Sequence, residues 1–361
     1  MEFKFAAKKD FSAIKNLWAC SFESYEPYFS WYFNSVYQPK KTLCCFDTDY
    51  KQNVLLADLQ FADYKLQIRD QIMPITFFVG VITNPLYRGK HIGEKLMKEA
   101  LQYLYEHKIP LACLYPEAPV FYQKLGFEYC YEETQSYLLP QSYKNLFSDP
   151  NWKILDNQNF ADWDWKSIDK IYRQQNKSAN GWIVRRKKDW FVFVGEAICD
   201  QSQMILYSQE ENPQAYLLLL PKKEYFLVRE FAGLSPTQQS LLETGQTKPS
   251  VMGRIIDAKQ VLQQIRYPKG LETKISYFLK DDQIKENNGH YLLTVANQKG
   301  VLESANSARF HLGIPELTSM VWGYRSATEL AQNNRLFAPS DQIEILDRIF
   351  PKQINKTTHR T

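Results

Sequence analysis

Apolar positions along the chain switch between two spacings, and the switches lay out the elements. Phe11, Ile14, Leu17 and Trp18 share one helical face behind Asp10, which reads as an N-cap, and Tyr28, Trp31, Tyr32 and Val36 continue a second helical stretch opened by Pro27. Strand-like runs follow at 42–46, 54–61, 65–68 and 72–82, with a turn expected at Ala62-Asp63. Ile92, Leu96, Met97, Ala100 and Leu104 mark a helix over 92–107, and a short buried strand covers 111–115. A brief helix from Val120 then ends at Gly126, read as a left-handed cap, before one more strand. The predicted order is ααββββαβαβ.

From about Ser136 the pattern loosens. Pro140, Asn145 and Asp149-Pro150-Asn151 read as a loop-rich linker, followed by a helix over 165–175. The basic run Arg185-Arg186-Lys187-Lys188 reads as a solvated helix face. Strands are expected at 203–207, 215–220 and 225–231, then a helix over 236–242 and a second linker at 244–249. Beyond it lie Met252-Gly253-Arg254-Ile255-Ile256-Asp257, strands at 272–279 and 290–295 with a hairpin turn at Asn287-Asn288-Gly289, a helix from Pro315 and a last helix over 342–350. The polar, basic tail 352–361 has no aromatic residue and reads as a frayed terminus.

At 361 residues the chain is long enough for two or three cores. Its 23 Tyr, 22 Phe and 8 Trp argue against disorder, and a net charge of +4 is too small to argue for nucleic acid. The N-terminal apolar run is short and broken by charge, and no window approaches the roughly 18 apolar residues that span a bilayer. Neither a nucleic-acid nor a membrane partner is expected. Six dispersed Cys without a Cys-x-x-Cys pair predict reduced thiols and a cytoplasmic protein, and the dispersed His predict no metal site.

The stretch from Val79 to Leu96 carries the most chemistry. A β-rich run passes Asn84-Pro85, enters a basic turn at Arg88-Gly89-Lys90-His91, and continues as the helix from Ile92. A strand, a glycine-containing turn and a helix start make an anion site, because the first helical N–H groups lack intrahelical partners and the helix dipole points at the guest. A phosphate or pyrophosphate fits. Arg88 and Gly93 match the first and last positions of Arg/Gln-x-x-Gly-x-Gly/Ala, the cofactor loop of the GNAT N-acyltransferase superfamily. His91 stands where that pattern has its middle Gly; the backbone amide survives, but a Cβ crowds the phosphates or demands a rarer backbone conformation. Phe121-Tyr122-Gln123-Lys124-Leu125-Gly126-Phe127 matches that superfamily's second motif.

Along its whole length the chain resembles the Eis-type (enhanced intracellular survival) N-acetyltransferases. Gly181, Arg185 and Trp190 carry the likeness in the second region, and 252–257, Asn288-Gly289 and 322–327 in the third. The resemblance implies an α/β (α+β) chain: a GNAT domain at 1–140, a degenerate GNAT-like domain at 141–249 and a sterol-carrier-protein-like domain at 250–361. It implies acetyl-CoA as co-substrate, an amine acceptor and a homohexamer. Val81, Ile82 and Thr83 would run beside the pantetheine arm, the amides of Gly89, Lys90, His91, Ile92, Gly93 and Glu94 with Arg88 would hold the pyrophosphate, and Glu117 and Ala118 would flank the acetyl end. Tyr122 would be the general acid, and the terminal carboxylate, here Thr361, would take the amine's proton. His359 is an alternative base, and Glu23 and Glu26 are candidate rim acids for a cationic acceptor. The competing reading is a GNAT-fold acyl-CoA-binding or regulatory protein with little turnover.

Overall fold

The computed structural model describes residues 1–22, 25–48 and 54–357. The chain opens with β1 (Glu2–Phe5), α1 (Phe11–Ala19) and α2 (Tyr28–Ser35), then an antiparallel ladder of β2 (Thr42–Asp47), β3 (Val54–Ile68) and β4 (Gln71–Thr83). After α3 (Ile92–Glu106), β5 (Leu111–Leu114), α4 (Pro119–Gln123) and β6 (Glu128–Tyr129), the chain leaves this sheet. Strand β3 runs through the expected turn at Ala62-Asp63 without a break, because the Asp63 carboxylate is used across strands: it accepts from Thr76 Oγ1 on β4 at 2.6 Å and pairs with Lys41. The chain reverses instead at Arg69-Asp70, both at positive φ. Asp10 does not cap α1; its carboxylate accepts from the Ala7 N–H one turn earlier.

A second, six-stranded sheet takes β7 (Glu132–Leu138), β8 (Trp152–Ile154), β10 (Gln203–Gln209), β11 (Asn212–Pro221), β12 (Phe226–Ala232) and β13 (Leu242–Pro249). Strand β9 (Trp182–Ile183) pairs with β3 of the first sheet. Helices α5 (Pro140–Phe147), α6 (Trp165–Asn176), α7 (Lys187–Cys199) and α8 (Pro236–Gln239) lie between these strands in the chain. Most of both expected linkers is regular structure, while Asp149-Pro150-Asn151 is the turn expected there. Pro140 sits in the first turn of α5, where its missing N–H has no intrahelical use, and 244–249 belongs to β13, which pairs with β7. Arg185 is not solvated either. It is buried, forks onto Glu230 at 2.7 and 2.8 Å, and stacks its guanidinium on the Tyr172, Trp190 and Phe193 rings.

The remaining chain forms β14 (Met252–Ile255), α9 (Ala258–Gln264), β15 (Thr273–Lys280), β16 (Gly289–Ala296), β17 (Lys299–Ser304), β18 (His311–Gly313), α10 (Ile314–Trp322), α11 (Ala327–Gln332) and α12 (Ser340–Ile349). Strands β15 to β18 make a four-stranded sheet. Strand β14, which the sequence reading gives to the third domain, is instead inserted antiparallel between β5 and β6 of the first sheet. Its residue Arg254 is fully buried on Asp281, so a salt bridge ties the first sheet to the last region. The tight hairpin lies at Asn297-Gln298, both left-handed, and not at Asn287-Asn288-Gly289. Asn287 and Asn288 are instead spent on Asp281 and its loop.

Candidate active site

Strands β4 and β5 run parallel only as far as Phe77 opposite Cys113, and beyond that pair they separate. The register of β3 against β4 shifts between Asp58 and Gln60, which places Gly80-Val81 opposite Leu59 as a β-bulge. A bulge leaves one residue of the strand without its ladder partner, and past Phe77 the β4 edge toward β5 has no ladder partner in that strand. Gly80 has φ +57°, and a Cβ there would stand 2.4 Å from Cζ3 of Trp18 on α1. The glycine is therefore what lets the strand kink against the helix. It was missed from sequence, although an isolated glycine within a strand pattern is the available signal. Val81 of the bulge, Ile82 and Thr83 run along the open edge, with Ile82 buried and its two neighbours half-exposed.

At the end of that edge Asn84 closes a short turn, accepting from Leu86 N at 3.1 Å and donating to Leu55 O at 3.3 Å. Gly89 follows at φ +79° and His91 at φ +56°, so the histidine adopts the left-handed conformation that the motif's glycine would take without strain. His91 is the N-cap of α3 and makes no side-chain cap bond; its ring lies outward, with Nδ1 3.2 Å from Glu94 Oε2. The opening amides of α3 are thus left to an external acceptor. Helix α3 is anchored by Ile92, Leu96, Met97, Ala100, Leu101 and Leu104, each large side chain contributing about 1.5–3 kcal/mol of burial. Gly93 sets the closeness of approach: a Cβ there would lie 2.9 Å from Thr83 Oγ1 and 3.8 Å from the Phe121 ring. The end of β4, the start of α3 and α4 therefore meet at one point. The exposed Arg88 stands above it with Nε 3.4 Å from Thr83 O, and Lys90 lies 5.2 Å over the Tyr87 ring. Lys98 at 2.7 Å and His91 hold the Glu94 carboxyl below its usual range.

Tyr122 lies on α4, 7% exposed, in one cluster with Ile92 and with Phe78 and Leu114, the residues just past the last paired positions of β4 and β5. Its ring sits edge-on to Phe121 at 5.0 Å. Burial pushes its hydroxyl pKa up to about 12, and the nearby Glu117 carboxylate adds to the rise. The phenol therefore keeps its proton at neutral pH. Glu117 and Ala118 are exposed on the loop between β5 and α4. Gly126 ends this segment at φ +83°, as the sequence pattern indicates.

On the other side of the first sheet, a cavity of about 680 Å³ opens between α2, the middle of β3, Val79 and the first turns of α7. The aromatic crowd on α2 divides between two roles: Tyr32 and Phe33 are core, and Tyr32 also forms part of this wall. Glu26 is occupied in accepting from Ser30 N and Oγ at 3.2 and 2.7 Å, while Glu23 lies outside the described residues. The tail is not frayed as far as it is described. Asn180 donates to Asn355 Oδ1 at 2.8 Å, Asn355 donates to Cys130 O at 2.9 Å, and Thr357 Oγ1 meets the Tyr115 hydroxyl, just past β5, at 3.2 Å. His359 and Thr361 lie outside the described residues.

Residues 2–130 match the family model of the acetyltransferase (GNAT) domain, and residues 258–355 that of the sterol carrier protein domain. The protein is an acyltransferase with a GNAT domain. A GCN5-related N-acetyltransferase from Anabaena variabilis is similar over 99% of this chain and 98% of its own, with TM-score 0.82 and 18% identity. A GCN5-related N-acetyltransferase from Kribbella flavida (TM-score 0.79, 16% identity) and Eis1 from Mycobacterium abscessus (TM-score 0.77, 11% identity) are similar over 100% of both chains. At these identities the likeness shows the fold: GNAT-like mixed sheets flanked by helices, with a sterol-carrier-like C-terminal domain. No curated protein matches the sequence significantly. Among the described residues, no helix of this acyltransferase is long and apolar enough to cross a membrane.

Proposed function

We propose that this chain is an Eis-type N-acetyltransferase that passes acetyl directly from acetyl-CoA to an amine, with Tyr122 as general acid. The observation that carries this reading is the gap between β4 and β5, which has an uncapped helix start at one end and a buried, protonated phenol at the other. Acetyl-CoA, as co-substrate, supplies the activated thioester. The opening amides of α3 from Ile92, together with the turn amides from Gly89 and the Arg88 and Lys90 cations, hold its pyrophosphate. The backbone of Val81, Ile82 and Thr83 aligns the pantetheine arm as an added strand. The bulge at Gly80-Val81 turns backbone polar groups toward the reacting carbonyl, where fixed donors act most strongly on developing charge.

In the transfer the neutral amine nitrogen bonds to the acetyl carbon and the carbon–sulfur bond breaks. Tyr122 gives its hydroxyl proton to the departing sulfur and is reprotonated from solvent. The amine's proton leaves toward the tail. The candidate acceptor is the terminal carboxylate of Thr361, in the tail whose Thr357 is anchored at Tyr115. Glu117 and Ala118 border the acetyl end. The Eis-type reading includes a homo-oligomeric assembly, checked by light scattering at micromolar concentration, where a monomer would contradict it.

Amine-dependent release of coenzyme A tests the activity. Tyr122→Phe deletes only the hydroxyl, so cofactor affinity holds while turnover falls by roughly 10²–10⁴. No release of coenzyme A with any added amine would leave an acyl-CoA-binding protein in place of an enzyme.

A further inference from the structure

The cavity between α2 and α7 is walled by Tyr32, Phe61, Tyr64, Val79, Phe191 and Val192, and its charged groups are unevenly engaged. Both carboxylates in the wall are already committed. Asp63 pairs with Lys41 and accepts from Thr76 Oγ1 at 2.6 Å. Asp189 accepts from Arg186 Nε at 2.7 Å, Arg186 Nη2 at 3.0 Å and the Arg186 backbone N–H at 2.8 Å. Lys187 and Lys188, both exposed on the first turn of α7, make no ion pair among the described residues; the Lys187 ammonium lies 5.5 Å over the Phe191 ring. Glu196, further along α7, bears on the Tyr32 and Tyr64 phenols but is not part of the wall.

We infer that the acceptor taken by this cavity is an amine with an apolar or aromatic body and an anionic group, a carboxylate or phosphate, rather than a polycation. This rests on the acetyltransferase reading and adds the substrate class. An additional positive charge would meet Lys187 and Lys188 with no free carboxylate in the wall to receive it, whereas a carboxylate or phosphate would pair with them. The same cations disfavour the protonated amine, so they raise the fraction of acceptor in the nucleophilic form.

The test uses the full chain with acetyl-CoA and three probes: phenethylamine, phenylalanine as the same body with a carboxylate, and spermidine as a polycation. Coenzyme A release should rank kcat/KM as phenylalanine above phenethylamine above spermidine, with at least a tenfold span. In the Lys187→Glu/Lys188→Glu double variant the order of phenylalanine and spermidine should invert while calorimetric affinity for coenzyme A stays unchanged. Binding of each probe in the presence of coenzyme A is measured separately by calorimetry. Tight phenylalanine binding without turnover would contradict the acetyltransferase reading and leave the cavity's preference standing. Spermidine as the best wild-type substrate or ligand, no phenylalanine binding, or an unchanged ranking in the double variant would overturn the inference.

Discussion

Replacing Gly126 by alanine should be among the most damaging single-methyl changes in this protein. The residue sits at φ +83°, where a side chain costs about 1–2 kcal/mol. A Cβ built there would stand 1.9 Å from Arg254 Nη1, 3.0 Å from Arg254 Cζ and 3.1 Å from Ile314 Cγ2. Arg254 has no room to yield: it is fully buried, and its Nη2 holds the Asp281 carboxylate at 2.7 and 2.9 Å. Displacing the guanidinium loosens a buried ion pair, a loss of about 3–5 kcal/mol when complete. Because strain and displacement relax together, we expect about 3–5 kcal/mol in all. Gly270→Ala is the control: φ is +75° but no heavy atom lies within 4 Å, so only the backbone strain of about 1–2 kcal/mol remains. Urea denaturation followed by tryptophan fluorescence compares the two. Phe127 N donates to Tyr122 O at 3.1 Å across the same turn, so Gly126→Ala should also reduce turnover. If it destabilises no more than Gly270→Ala, the glycine is not there to admit Arg254.

Arg88→Glu replaces a cation above the α3 start with an anion and should weaken coenzyme A binding at least tenfold without unfolding the chain; unchanged affinity by calorimetry would remove that turn as the phosphate site. His91→Gly relieves left-handed strain of about 1 kcal/mol but frees the unfolded chain by a similar amount, so stability should stay nearly level while affinity holds or rises. A loss of affinity would mean that the imidazole itself contributes. Asp58 is buried with no hydrogen bond to either carboxylate oxygen among the described residues, and burial holds its pKa well above the carboxylate range. The native chain therefore holds this proton more tightly than the unfolded one. The stability it contributes is full below about pH 4 and is lost as pH rises toward the folded pKa, by about 1.4 kcal/mol per pH unit. Asp58→Asn should accordingly raise the melting temperature at pH 8 and change it little at pH 4, and the opposite pattern would refute this. Removing 358–361 should lower turnover and alter its pH profile at constant coenzyme A affinity; a truncated enzyme with both unchanged would exclude Thr361 and His359 from the chemistry.

What the sequence made legible was local. The strand, turn and helix through 79–96, the helix ended by Gly126, and the motif around Tyr122 depend on neighbours in the chain, and the structure has them in the expected order. What it concealed depends on partners far away. Asp63 looks like a turn residue until Thr76 and Lys41 occupy it inside a continuous strand. Arg185 looks solvated until Glu230 and three aromatic rings enclose it. Strand β14 could not be assigned to the first sheet because apolar content does not say which strands it will pair with. The tail looked free because its anchors, Asn180, Cys130 and Tyr115, come from three separate places. Val81, Ile82, Thr83, Arg88, Gly89, Lys90, His91, Ile92, Gly93 and Glu94 do line one continuous edge and turn, but the cavity beyond Val79 needed α7 to form and had no local signature.

The central claim is direct transfer of acetyl to an amine with Tyr122 as proton donor. It is tested most directly by initial rates with both substrates varied, in wild type and Tyr122→Phe, alongside intact mass of the enzyme incubated with acetyl-CoA alone. Intersecting rate patterns, no added acetyl mass on the enzyme, and a fall of roughly 10²–10⁴ in turnover at unchanged coenzyme A affinity for Tyr122→Phe are expected. Parallel lines with an acetylated enzyme, or a Tyr122→Phe variant that turns over at the wild-type rate, would contradict it.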